Sequence, residues 1–235
     1  RDSSVTGVQT CALPISNPDI LLETIRADEK NRRGRLKIFL GYAAGVGKTY
    51  SMLDDAHEKL KSGTDVAVGY IEPHTRPETM RLLEGLPVLP PKEIQYRNLL
   101  LKELDLDAAL DRKPELILVD ELAHSNAPGM RNKKRYQDIE ELLNAGIDVY
   151  TTVNIQHIES LNDLVQKITK IAVKETVPDY FFDGADTVEI IDFAPEELLR
   201  RFEEGKVYRP VNAEAAMQNF FTKENLRLLR EIATR

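Results

Sequence analysis

Tryptophan is absent from this chain of 235 residues, and cysteine occurs once, at Cys11. A single thiol excludes a disulfide framework within the chain and fits a reducing cytoplasm. No stretch approaches the roughly eighteen consecutive apolar residues that a membrane helix needs. Excess positive charge is missing too. The chain has 39 acidic against 32 basic residues, a net charge of −7, which argues against general nucleic-acid binding, since that needs a basic face. None of the four histidines has a cysteine or second histidine at metal-ligand spacing, so a zinc site is not expected. What remains is an ordinary globular composition, 42% hydrophobic and 30% charged.

Residues 36–49 read LKIFLGYAAGVGKT: an apolar run, a glycine-rich bend, then the start of a helical pattern. This is the form of a phosphate-binding loop. The backbone N–H groups of Gly45, Val46, Gly47 and Lys48 would share one concavity at the positive end of the new helix. Lys48 supplies a full charge for the terminal phosphates, and the Thr49 hydroxyl suits Mg²⁺. The strict pattern G-x-x-x-x-G-K-[ST] would put its first glycine at Tyr42, whereas Gly41 stands one position earlier.

Residues 1–16 show no periodicity and resemble a translated sequencing-adapter fragment, so they are set aside as a tag would be; the alternative is a disordered tail. Residues 17–35 read as a short amphipathic helix (Asp19–Lys30) and a basic linker. Within 36–205, helices are expected at Lys48–Ser62, up to Glu84, Asp105–Asp111, Lys134–Asn144, Ile155–Thr169 and Pro195–Glu204. Strands are expected at Asp65–Glu72, within Leu86–Arg97, at Glu115–Glu121, Ile147–Val153 and Thr187–Asp192. Residues 206–235 are expected to form a helical extension, a linker to downstream domains. Alternating strands and helices predict an α/β, P-loop NTPase-like three-layer fold with a mainly parallel sheet.

The strand LILVD ends in Asp120, the residue type that holds the water shell of a nucleotide-bound Mg²⁺. Glu121 follows and is a candidate base for an attacking water; binding needs Asp120, and only hydrolysis needs Glu121. Thr151, Thr152 and Asn154 end a neighbouring strand. Asn154 reads either as a γ-phosphate sensor or as the cap of the next helix. His124 lies in a loop bordering the phosphates and is a candidate for coupling nucleotide state to conformation. His74 and Arg76 share a turn, and either contact a ligand or partner or simply make the turn. His57 is expected on a solvated helix face. Arg131–Arg135 places cations where they oppose a helix dipole. Arg135 is therefore a candidate γ-phosphate or partner contact, the alternative being a solvated loop.

The segments GYAAGVGKTYSML, YIEPHTRPET, PELILVDELAHSNAPGMRNKKRYQDIEELLNAGIDVYTTVNIQHIESLND and AMQNFF-KENL-LLRE closely resemble the cytoplasmic N-terminal domain of the KdpD family of potassium-responsive sensor histidine kinases. The resemblance implies an ATP-binding domain that regulates a kinase/phosphatase balance toward a response regulator. It puts the nucleotide loop on Gly45, Gly47, Lys48 and Thr49, and the second motif on Asp120. Full-length members continue into further domains, membrane helices and a catalytic kinase core. The chain is thus expected to be the cytoplasmic input segment of a bacterial inner-membrane protein, at most a weak ATPase by itself. Its expected partners are ATP–Mg²⁺, the downstream domains and, indirectly, the response regulator. The competing readings are a P-loop ATPase or small-molecule kinase in its own right, and a docking domain that binds no nucleotide.

Overall fold

The computed structural model describes residues 32–72, 77–97, 99–204 and 220–234. The expectations for residues 1–16, the helix at Asp19–Lys30, the His74–Arg76 turn and residues 206–219 lie outside these residues.

Five parallel strands form the main sheet: β1 (Leu36–Gly41), β2 (Val66–Tyr70), β5 (Leu116–Val119), β6 (Asp148–Asn154) and β7 (Thr187–Ile191), in the order β2-β5-β6-β1-β7. Their alternation sorts side chains into two cores, as a period of two requires. Ile38, Leu40, Ile117, Val119 and Val149 face one way. Phe39, Leu116, Leu118 and Tyr150 face the other. Helix α1 (Lys48–Lys61) covers the second face with Met52, Leu53 and Ala56. The first face carries Ile139, Leu142 and Leu143 of α4 (Arg135–Asn144). It also carries Leu198 of α7 (Pro195–Glu203) and Leu226 and Leu229 of α8 (Lys223–Ala233). The molecule is therefore the expected α/β three-layer fold, P-loop-like in plan.

The remaining elements are α2 (Pro77–Arg81), α3 (Leu106–Arg112), α5 (Glu159–Thr169), α6 (Asp179–Asp183) and an antiparallel hairpin of β3 (Lys92–Tyr96) and β4 (Leu99–Glu103). The hairpin stands apart from the main sheet, and neither β4 nor α6 is evident from sequence periodicity. The helix expected from Ile155 divides instead. A 3₁₀ turn spans Ile155–His157, and extended Ile158 (ψ 125°) precedes α5. His57 is half-buried rather than solvated, with its ring nitrogen 2.7 Å from the Leu82 carbonyl.

Candidate functional site

All five strands point the same way, so their carboxyl ends gather at one edge, where α/β sheets hold ligands. The register places Gly41 beside both Asn154 and Ile191. The loop from Tyr42 to Gly47 turns there into α1. Gly45 (φ 89°) and Gly47 (φ 111°) adopt left-handed backbone that side chains disfavour. Gly41 is required for a different reason. A β-carbon on it would lie 2.7 Å from Val46 Cγ2 and 2.9 Å from Lys48 Cδ. The glycine that stands one place earlier than the strict pattern is therefore the one that lets the loop fold back on its own strand.

Because β6 lies between β1 and β5, Asn154 stands next to the loop and Asp120 one strand further out. Lys48 Nζ donates to Asn154 Oδ1 at 2.6 Å. Asn154 does not cap the following turn with its side chain, so the capping reading fails; its side-chain oxygen accepts from Lys48 instead. Thr49 Oγ1 lies 3.2 Å from Asp120 Oδ2. Thr152 donates a short hydrogen bond to Asp120 Oδ1, and Thr151 is fully buried in the sheet. A carboxylate and a hydroxyl at this separation, beside a lysine and a glycine loop, fit an oxygen-seeking cation shared with phosphate. Among the described residues no group of three or more His, Cys, Asp or Glu could hold a metal by itself. The donor set therefore suits a cation that takes its remaining ligands from phosphate and water.

Glu121 leaves β5 with φ 59°, a left-handed conformation costly for a residue with a β-carbon. Its carboxyl opens to the cleft. Surrounding protein, the adjacent Asp120 and Glu72 push its pKa up to about 7. A carboxyl pushed up toward neutrality beside such an aspartate is a candidate general base.

His124 and Arg135 do not reach the loop as a pair of phosphate contacts. Arg135 is fully buried at the start of α4, where the dipole opposes it. Its compensation is structural. It pairs with Glu103 Oε2 at 2.8 Å, donates to the Asp120 carbonyl at 3.1 Å and packs 4.0 Å over the Tyr70 ring. The solvated-loop reading fails at this residue, and so does an arginine exposed to a γ-phosphate. His124 does line the cleft, and its Nε2 lies 3.1 Å from Glu103 Oε1. Burial opposes the charge on Glu103, but His124, Arg135 and the Ala127 N–H together hold its pKa below the ordinary carboxylate range. Glu103 was invisible in the sequence. It ends a short strand like many other glutamates, and nothing local marks it as buried.

The loop, Asp120, Glu121, His124, Thr152 and Asn154 border a cleft of about 1140 Å³. Beyond the loop it is lined on one side by Glu72, Glu78 and Arg81, and on the other by Ile191, Phe193 and Arg201. His157 also faces it. The His157 Nδ1–H donates to the Glu175 carbonyl at 2.7 Å, and burial lowers its pKa.

Residues 32–235 match the family model described as the osmosensitive K⁺ channel His kinase sensor domain, KdpD. The chain belongs to the KdpD sensor-domain family. A protein named sensor protein KdpD from Clostridium acetobutylicum is 61% identical over 220 residues, covering 93% of this chain and 24% of that protein. Its namesake in Escherichia coli K12 is 57% identical over 219 residues, with the same coverage. A putative sensor protein KdpD of Synechocystis is 50% identical over 212 residues, 90% of this chain and 57% of that protein. The chain thus spans about a quarter of the first two relatives. The KdpD match takes in every described element from β1 to α8, including the whole cleft. Among the described residues of this KdpD-family chain, no helix is long and apolar enough to cross a membrane.

Proposed function

We propose that this chain is the ATP-binding regulatory domain of a KdpD-type sensor histidine kinase, modulating the kinase/phosphatase balance of the parent protein. The observation that carries the reading is the convergence at one sheet edge of the loop from Gly41 to Lys48, the Lys48–Asn154 bond and the Thr49–Asp120 pair. Backbone N–H groups of the loop and Lys48 would hold the phosphates. Thr49 and Asp120 would hold Mg²⁺, Asp120 through water. Bound Mg²⁺ would neutralise charge on the terminal phosphates. The parent protein would sit in the bacterial inner membrane with this domain on the cytoplasmic side. Its partners would be the downstream domains and, through them, a response regulator that governs potassium transport.

A switch of this kind needs a free-energy difference between states. A ligand preferring one state a hundredfold shifts the balance by about 2.7 kcal/mol. The same binding at a hundred times Kd would stabilise the fold by about 2.7 kcal/mol. For a domain of this size that is a rise of roughly 5–10 °C in Tm. A thermal-unfolding series with ATP–Mg²⁺ tests this: a saturating rise supports the reading, and no rise at any concentration contradicts it.

Glu121 favours a second reading, in which the site also hydrolyses ATP. Phosphate release that disappears in Glu121→Gln while ATP still binds would support an ATPase. Absence of turnover in the unmodified chain would leave regulation alone.

A further inference from the structure

The cleft has a polarity along the sheet. Lys48 turns toward Asn154 on β6, and Thr49 turns toward Asp120 on β5. A nucleotide whose metal-binding phosphates lie there has room to extend past β1 to β7, which is the other neighbour of β1. The segment that leaves β7 is built for this. Phe193 and Arg201 both line the cleft, and the Arg201 guanidinium lies 4.1 Å from the centre of the Phe193 ring. The segment is fixed to the loop itself, because the Tyr42 hydroxyl donates to the Phe193 carbonyl at 2.7 Å. Among the described residues, the opposite arm of the cleft carries the carboxylates Glu72, Glu78 and Glu121 beside Arg81, charges that suit metal or phosphate rather than a stacked base.

We propose that Phe193 and Arg201 form the platform on which the purine base of the nucleotide stacks. The proposal rests on the nucleotide reading above and extends it to the residues that read the base. A planar guanidinium laid on a phenyl ring presents a second flat layer, and a purine extends that stack. Stacking tolerates any base with a π face, so the platform selects nucleotides over bare polyphosphate and purines by area.

The test compares Mg²⁺-dependent binding of ATP and of inorganic tripolyphosphate to the whole chain by calorimetry. Phe193→Ala is expected to weaken ATP by roughly 5- to 150-fold, the range a stacked base contributes by alanine substitution, and to leave tripolyphosphate about unchanged. Arg201→Lys keeps the charge and loses the plane, so it too is expected to weaken ATP selectively. ATP binding undiminished in both variants would overturn the platform, as would equal losses for ATP and tripolyphosphate, which would mark general damage to the loop. If neither ligand binds the unmodified chain, the nucleotide reading itself falls, and the platform with it.

Discussion

At the scale of single residues, one charge pair is buried and one carboxyl faces the cleft. Glu103 is 3% exposed and Arg135 is fully buried. Removing one partner leaves the other uncompensated, so Glu103→Ala is expected to destabilise the domain by about 3–5 kcal/mol, read as a lower denaturant midpoint at unchanged slope. Because the folded pKa of Glu103 is depressed, its contribution is fully present above the ordinary value of 4.5 and is lost as pH falls through the folded value. Glu121 has the opposite sign. Its folded pKa of about 7 lies above the ordinary 4.5. The folded state therefore binds more protons between these values, and stability falls as pH rises through that window. Glu121→Gln should flatten this dependence and be more stable than the unmodified chain at pH 8. A steeper fall in the variant would contradict the assignment.

At the scale of elements, the loop between β1 and α1 depends on Gly41 as much as on its positive-φ glycines. Gly41→Ala is expected to displace Val46 and Lys48 and abolish loop-dependent ligand binding while the sheet survives, measured by far-ultraviolet circular dichroism beside a binding assay. Helix α8 is held by Leu226 and Leu229, both fully buried, and by the Arg230–Asp192 ion pair. Leu226→Ala is expected to cost about 2–5 kcal/mol, with amide exchange quickening first along 223–233. The main elements were legible because each carries a local signal. LILV is uniformly apolar as a doubly covered strand must be, Asp105 caps α3 by accepting from Ala108 N, and Pro195 opens α7. A strand was expected within Leu86–Arg97, where β3 lies, but its partner β4, and so the hairpin, was not legible. Its strands alternate weakly, with Leu99 and Leu100 exposed, and its value to the fold lies in one glutamate reaching a distant arginine. The break at Ile158 escaped notice for a similar reason: its partner is Val177, nineteen positions on.

At the scale of the whole molecule, strand order does what no motif can. The sequence shows a glycine loop, an Asp-Glu pair and a Thr-Thr-x-Asn strand end. The order β2-β5-β6-β1-β7 is what sets Asn154 between Lys48 and Asp120 and opens β7 to the far side. Loop, Lys48, Thr49 and Asp120 could be named in advance as candidates because the chemistry of phosphate and Mg²⁺ restricts residue type, and the structure gathers them at one sheet edge. Arg135 misled because a cation at a helix start looks functional until its buried partner is known. The central claim is that this edge binds ATP–Mg²⁺ through Lys48. Isothermal titration of ATP–Mg²⁺ into the chain and into a folded Lys48→Ala variant tests it most directly. The account predicts a single saturable site that the variant loses. No heat of binding in the unmodified chain, or equal affinity in the two, would contradict it.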